Sequence, residues 1–209
     1  MYAVEKASVS VVLMAAGLST RMGQNKLLLP FGEKSVIQHT LDNLIASRAC
    51  ETIVVIGSKA IKMHQAVSDR DVIVVYNPDY TNGMSTSLKT GIRMVNESVK
   101  YIMIALGDQP FISSLSYNYL IDATQKTSKL FLVPTYHGER GNPIMMSAKL
   151  CSELYRQDGD IGGRELLKKY SEDMCEIPLE DEGIVINMNT IQEYQKRMKY
   201  LNSCPAKYN

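Results

Sequence analysis

The sequence predicts an α/β fold in which helices cover both faces of a mostly parallel sheet, a single three-layer sandwich over residues 1–209. Two observations carry that prediction. Five short runs, VSVVLM at 9–14, TIVVIG at 52–57, DVIVVY at 71–76, YIMIAL at 101–106 and LFLVPT at 130–135, are almost continuously apolar and rich in β-branched residues, as strands are when both faces are covered. Between them apolar residues recur at helical spacing: Val36, Ile37, Leu41, Leu44 and Ile45 in one segment, Met84, Leu88, Ile92 and Val95 in another. Strand and helix alternating in this way build parallel βαβ units. Length agrees, because 209 residues with 45% apolar content suffice for one well-buried core and are few for two full domains.

The first strand runs directly into AAGLSTRMGQNK. In an open parallel sheet the ligand crevice lies outside the carboxyl ends of the strands, so this segment is a loop over the crevice. Ala15, Ala16 and Gly17 leave backbone N–H groups open to close approach, as phosphate cradles require. Arg21 adds a planar fork of donors and Lys26 a mobile point charge. The set suits a triphosphate, although the loop has neither the G-x-x-x-x-G-K-[ST] nor the G-x-G-x-x-G spacing. A plain strand-to-helix turn with two solvated basic residues has the same composition.

The two helical stripes read as core faces and receive no chemistry. In TNGMSTSL, Gly83 precedes a helix whose first turn carries Ser85, Thr86 and Ser87; such hydroxyls either cap the helix or meet the edge of a base. After the fourth strand comes LGDQP, which brings the Asp108 carboxylate out at the crevice. Mg²⁺ takes one or two carboxylates together with phosphate oxygens and water, so Asp108 is a natural ligand; the alternative is an aspartate turning the chain before Pro110. Past the sheet core at 8–135 the pattern weakens from about Gly138, and residues 136–200 read as a substrate-facing portion of the same domain. There GDIGGRELL puts Gly162 and Gly163 at a helix start with Arg164 just inside it, either an anion site or an ordinary cap.

Composition excludes several classes. The 23 basic and 22 acidic residues are interspersed, with a net charge of +1, so neither a nucleic-acid surface nor a membrane surface is indicated. Cys50, Cys151, Cys175 and Cys204 lie far apart without C-x-x-C pairs, and His39, His64 and His137 are isolated, which argues against a zinc site or a disulfide framework. No leader-like segment opens the chain and no apolar run approaches the ~18 residues of a membrane span; the expectation is a soluble cytoplasmic protein. The 12 methionines read as core filling.

LMAAGLSTRMGQNKLLLPFG, NPDYTNGMSTSLKTGI, ALGDQP, GERGNPI and GDIGGRELL follow one another in an order and spacing that resembles the nucleotidyltransferases with a Rossmann-like fold, the type shared with nucleotide-diphospho-sugar transferases. Within them the chain is most similar to the molybdopterin (molybdenum cofactor) cytidylyltransferases. The resemblance extends to about Gln192. It implies binding of CTP with Mg²⁺ and transfer of CMP to the phosphate of the molybdenum-bearing pterin, with release of pyrophosphate. The product would be the dinucleotide cofactor that molybdenum hydroxylases use. By the same resemblance Arg21 and Lys26 screen the phosphates, Asp108 holds the metal, Gly83 and Ser87 lie against the base, and Asp160, Gly162 and Arg164 belong to the acceptor side.

Two departures from the family pattern stand out. Where the family has D-I-D-T after the last strand, this chain reads NMNT, so Asn187 and Asn189 replace two aspartates that help hold the metal. An amide oxygen coordinates Mg²⁺ without bringing charge, and a higher requirement for Mg²⁺ or Mn²⁺ is expected. Asn142, in GERGNPI, stands where the family has a histidine on the acceptor side. Two other readings remain open: a guanylyl- or sugar-phosphate nucleotidyltransferase, and a non-catalytic accessory protein that delivers the cofactor to a molybdenum hydroxylase. The double alanine, where the guanylyl branch has A-G-G, favours CTP.

Overall fold

The computed structural model describes residues 8–19, 22–156 and 163–203. Ten strands are present among them: β1 (Val9–Ala15), β2 (Pro30–Phe31), β3 (Lys34–Ser35), β4 (Glu51–Ile56), β5 (Ile73–Tyr76), β6 (Tyr101–Leu106), β7 (Phe131–Tyr136), β8 (Glu139–Arg140), β9 (Ile144–Ser147) and β10 (Met174–Pro178). The helices are α1 (Val36–Ile45), α2 (Ala60–Val67), α3 (Met84–Ile92), α4 (Ser114–Thr124), α5 (Cys151–Arg156), α6 (Gly163–Lys169) and α7 (Ile191–Ser203). The main sheet runs β10-β7-β9-β6-β1-β4-β5, with β8 beside β7. All five strands expected from the sequence are in it.

Along β1 the side chains alternate between faces, the period-2 rule of a strand. Val9, Val11, Leu13 and Ala15 join one core with Ile37, Leu41 and Leu44 of α1, Met63 of α2 and Tyr117, Leu120 and Ile121 of α4. Val12 joins the other, with Leu88 and Ile92 of α3, Leu154 of α5 and Leu166 of α6. The sandwich therefore has three layers, as the apolar runs required. Helix α3 lies close on the sheet because Gly91 lets it: a Cβ there would sit 2.4 Å from Val12 Cγ1.

Two expectations need correction. Ile45, counted in the α1 stripe, is 39% exposed, and Met84 is 58% exposed at the start of α3; both lie at helix ends, where the stripe leaves the core. The fifth strand, β7, does not lie beside β6. Antiparallel β9 is inserted between them, pairing Ile104 with Ile144 on one side and Leu132 with Met145 on the other. The weakly patterned region after Gly138 therefore contributes β9 and β10 to the same sheet.

The insertion of β9 shapes the crevice. Parallel strands β1, β4, β5 and β6 deliver their ends to one edge, whereas an antiparallel strand delivers its start there, so Asn142, just before β9, arrives at the level of Leu106. From β10 the chain returns through Ile184 and Ile186, whose carbonyls accept hydrogen bonds from the buried Gln109 amide at 3.2 and 3.4 Å. That return carries Asn187 and Asn189 over the same edge. No helix of the described residues is long and apolar enough to cross a membrane.

Candidate active site

At the carboxyl edge of β1, β4, β5 and β6 lies a cavity of about 680 Å³. It is lined by Ala16, Gly17 and Ser19 from the first loop, Lys26 and Leu27, the Tyr80–Met84 turn and Ser87 of α3, Asp108 after β6, Asn142 before β9, and Asn187 and Asn189 after β10. Five segments distant in sequence converge there because each leaves or enters the sheet at that one edge.

Lys26 is held rigidly for a lysine. Asn25 begins a short 3₁₀ turn at Lys26–Leu28 and accepts a hydrogen bond from Leu27 N at 3.0 Å through its side chain, while the Lys26 backbone N–H donates to Ser19 Oγ at 3.2 Å. Ser19 itself adopts φ 53, an uncommon conformation for a residue with a side chain. The lysine ammonium, with its side chain 20% exposed, pairs with Asp108, whose side chain is 10% exposed. It also donates to Asn189 Oδ1 at 3.0 Å. Leu27 packs into the core beneath, so the ammonium stands on a fixed floor between a carboxylate and an amide.

Asn189 is fixed in turn by the start of α7. Glu193 reaches back to accept from Asn189 N and Thr190 N at 2.7 and 3.0 Å, and Thr190 Oγ1 accepts from Glu193 N at 3.2 Å. This reciprocal cap, Thr190 with Glu193, is the capping-box arrangement. Asn187 is exposed at the rim and donates weakly to Val185 O at 3.4 Å.

At the opposite wall Gly83 has φ 109 and ψ 168, open to glycine and forbidden to other residues without strain. It turns the chain into α3. Of the first-turn hydroxyls, Thr86 donates to the Gly83 and Asp79 carbonyls at 2.9 Å, which serves the helix start, whereas Ser87 faces the cavity. Thr86 therefore bonds carbonyls at the helix start without capping an N–H, and Ser87 is the hydroxyl of that turn that lines the cavity.

Among the described residues lining the cavity, Lys26 and Asp108 are the charged pair, and no cluster of three or more His, Cys, Asp or Glu side chains could hold a metal on its own. One carboxylate beside an amide oxygen fits a hard cation that brings further oxygen ligands with it, such as phosphates and water, and not a closed protein cage. Gly17 adds a separate observation. It is exposed, its φ lies outside the left-handed range, and a Cβ there would meet nothing within 4 Å. The fold does not ask for glycine at that position; a ligand closing on the backbone would.

Of the residues singled out in the sequence, Ala16, Gly17, Lys26, Gly83, Ser87, Asp108, Asn142 and Asn189 line the one cavity. Ala15 does not: β1 runs one residue further than expected, and Ala15 is fully buried in the core beneath α1. Arg21, Asp160, Gly162 and the Arg164 side chain lie outside the described residues, although a helix does begin at Gly163. Sequence reasoning overlooked Asn77, which is 1% exposed and bonds Ser87 directly. The signal was an asparagine ahead of Pro78 at a strand end, a residue able to bond its own backbone two positions on.

Residues 11–174 match the family profile described as MobA-like NTP transferase domain. The molybdenum cofactor cytidylyltransferase of Escherichia coli (strain K12) is 24% identical over 193 residues, covering 90% of this chain and 94% of that protein. Rv0371c from Mycobacterium tuberculosis H37Rv superposes with a TM-score of 0.81 at 25% identity over 93% of this chain and 99% of that one. The crystal structure of its complex with manganese gives a TM-score of 0.77 at 25% identity, with 91% and 98% covered.

Proposed function

The chain belongs to the MobA-like NTP transferase domain family, and on that premise we propose that it moves CMP from CTP to the phosphate of molybdenum-bearing molybdopterin, releasing pyrophosphate. The observation that carries the reading is the Lys26 ammonium held between Asp108 and Asn189 in the cavity that the uncovered backbone of Gly17 also lines. The similarity to the Escherichia coli cytidylyltransferase over nearly the full length of both chains supports the choice of acceptor. The dinucleotide product is one that a molybdenum hydroxylase would take up.

Chemically the chain has little to do with protons. A phosphate nucleophile is anionic at neutral pH, so no general base is needed, and catalysis consists of alignment and charge screening. The triphosphate lies along Ala16 and Gly17 with Lys26 against its oxygens, a role the family resemblance also gives to Arg21, which lies outside the described residues. A divalent cation, Mg²⁺ or Mn²⁺, held by Asp108 and Asn189 would neutralise the charge shared by the phosphates; the manganese complex of the mycobacterial neighbour supports such an ion. Gly83 and Ser87 meet the base. Asn142 faces the acceptor, a role the family resemblance also gives to Asp160, Gly162 and Arg164.

The experiment is pyrophosphate release from CTP, GTP, ATP and UTP with Mg²⁺ or Mn²⁺, with and without molybdenum-loaded molybdopterin. Release from CTP alone that depends on the acceptor is the expected result. Preference for GTP would make it a guanylyltransferase, and silence with all four nucleotides alongside cofactor binding would return the accessory-protein reading.

A further inference from the structure

We propose that Asn77 is a positioning residue that fixes Ser87 as a hydrogen-bond donor to an acceptor atom, a carbonyl oxygen or unprotonated ring nitrogen, on the base of the bound nucleotide. The inference rests on the reading that the crevice takes a nucleotide, and it concerns the polarity of one contact.

Asn77 follows β5 and is anchored through its backbone N–H, which donates to Ile56 O at 2.9 Å. Its side chain is buried, and the direction of its amide follows from chemistry. The Asp79 backbone N–H donates to Asn77 Oδ1 at 3.0 Å. A backbone N–H can only donate, so the oxygen faces Asp79 and the nitrogen must face the other way. Nδ2 lies 2.9 Å from Thr86 Oγ1 and 2.9 Å from Ser87 Oγ. An amide nitrogen has two hydrogens and accepts nothing, so both hydroxyls are acceptors in these bonds.

The two hydroxyls then differ in where their own hydrogens go. Thr86 donates to the carbonyls of Gly83 and Asp79. Ser87 has no acceptor for its hydrogen among the described residues; it is 4% exposed, and the space beside it is the crevice. A ligand there meets a hydroxyl whose oxygen already accepts and whose proton is available. Cytosine presents O2 and N3 as acceptors, so CTP satisfies that demand.

The test is a double-mutant cycle read by CTP binding and by turnover. Asn77→Asp keeps the size of the side chain and its bond to Asp79 N–H but accepts from both hydroxyls, so Ser87 would turn its proton away from the ligand. We expect the Kd and KM for CTP to rise roughly tenfold with kcat within about twofold. In a Ser87→Ala background the same change should alter Kd by less than about twofold, because the residue through which Asn77 acts is gone. Asn77→Ser, which retains an oxygen for Asp79 N–H but cannot reach α3, serves as a second variant, and thermal unfolding of each reports folding. Equal losses with and without Ser87 would overturn the inference while leaving the nucleotidyltransferase reading intact, since general charge repulsion or misfolding would then be the cause. Absence of CTP binding and turnover in the unaltered protein would overturn both.

Discussion

Two cavities lie at opposite ends of the central sheet, and the larger is the less equipped for chemistry. At the carboxyl edge about 680 Å³ is lined by Lys26, Asp108, Ser87 and the three asparagines Asn142, Asn187 and Asn189. At the amino edge about 870 Å³ lies between Ser8, Lys100, Tyr101, Gln125 and Lys149. There two of the hydroxyls serve the backbone: Tyr101 OH donates to Lys129 O at 2.7 Å, and Thr124 Oγ1 donates to Ile121 O at 2.6 Å. At the carboxyl edge a lysine is shared by two partners and a serine proton has none among the described residues. Volume therefore says little, and the convergence of a lysine, its paired carboxylate and a serine proton with no acceptor among the described residues says where a charged ligand would be held.

The strongest way to break that contrast is to remove the cation from the carboxyl edge. Lys26→Met keeps the stem that crosses Leu27 and deletes the charge. If Lys26 screens the phosphates, kcat should fall roughly 10²- to 10³-fold, the loss seen when one preorganised charge stabiliser is removed. Asp108 would lose its paired cation, so circular dichroism and thermal unfolding should accompany the kinetics. Turnover that survives within about tenfold would mean that the chemistry does not depend on this edge.

Next in size is Gly17→Ala. Because a Cβ there meets no protein atom and φ is not left-handed, the variant should fold with an unchanged melting temperature. Yet it would push a phosphate off the backbone N–H groups, and losing charge-assisted hydrogen bonds of about 1.5–3 kcal/mol would weaken nucleotide binding by roughly 10- to 100-fold. Titration calorimetry with CTP reads the change. Unchanged affinity would leave Gly17 without a role at the edge.

How far the contrast could be read from the sequence differs by element. Lys26 and Asp108 were legible because each follows an apolar strand, and strand ends define the crevice whatever the rest of the fold does. Strand β9 was not: IMMS is four residues with a single β-branched side chain behind a proline, and nothing local says that it runs antiparallel. Strand β10, MCEIP, is a partly exposed edge strand with a glutamate and a proline, too mixed for either periodicity. Asn189 entered only through family resemblance, since its approach to Lys26 depends on that long return from β10. Ala15 was read as the first loop residue, but pairing with Ile56 carries β1 one residue further and keeps Ala15 in the sheet.

The family departure at NMNT offers a smaller effect of the opposite sign. Asn189→Asp would add a carboxylate beside Asp108, and cation affinity in oxygen sites rises with ligand charge. About tenfold tighter Mn²⁺ binding is expected, measured by electron paramagnetic resonance on the protein with CTP. The gain is limited because Lys26, 3.0 Å from Asn189 Oδ1, would claim part of the new charge. No change in Mn²⁺ affinity would place the cation away from Asn189, and the carboxyl edge would then owe its selectivity to Asp108 alone.

The smallest effect belongs to the amino edge. Tyr101→Phe removes the hydroxyl that satisfies Lys129 O and leaves the buried ring in its core. The cost is the lost hydrogen bond and the carbonyl left without it, about 1 kcal/mol in urea denaturation. Turnover should stay within about twofold, because this group stabilises the sheet at the end where no strand delivers a loop to the crevice. A kinetic loss as large as that of Gly17→Ala would show the two edges to be coupled through β6, the strand that begins at Tyr101 and ends two residues before Asp108.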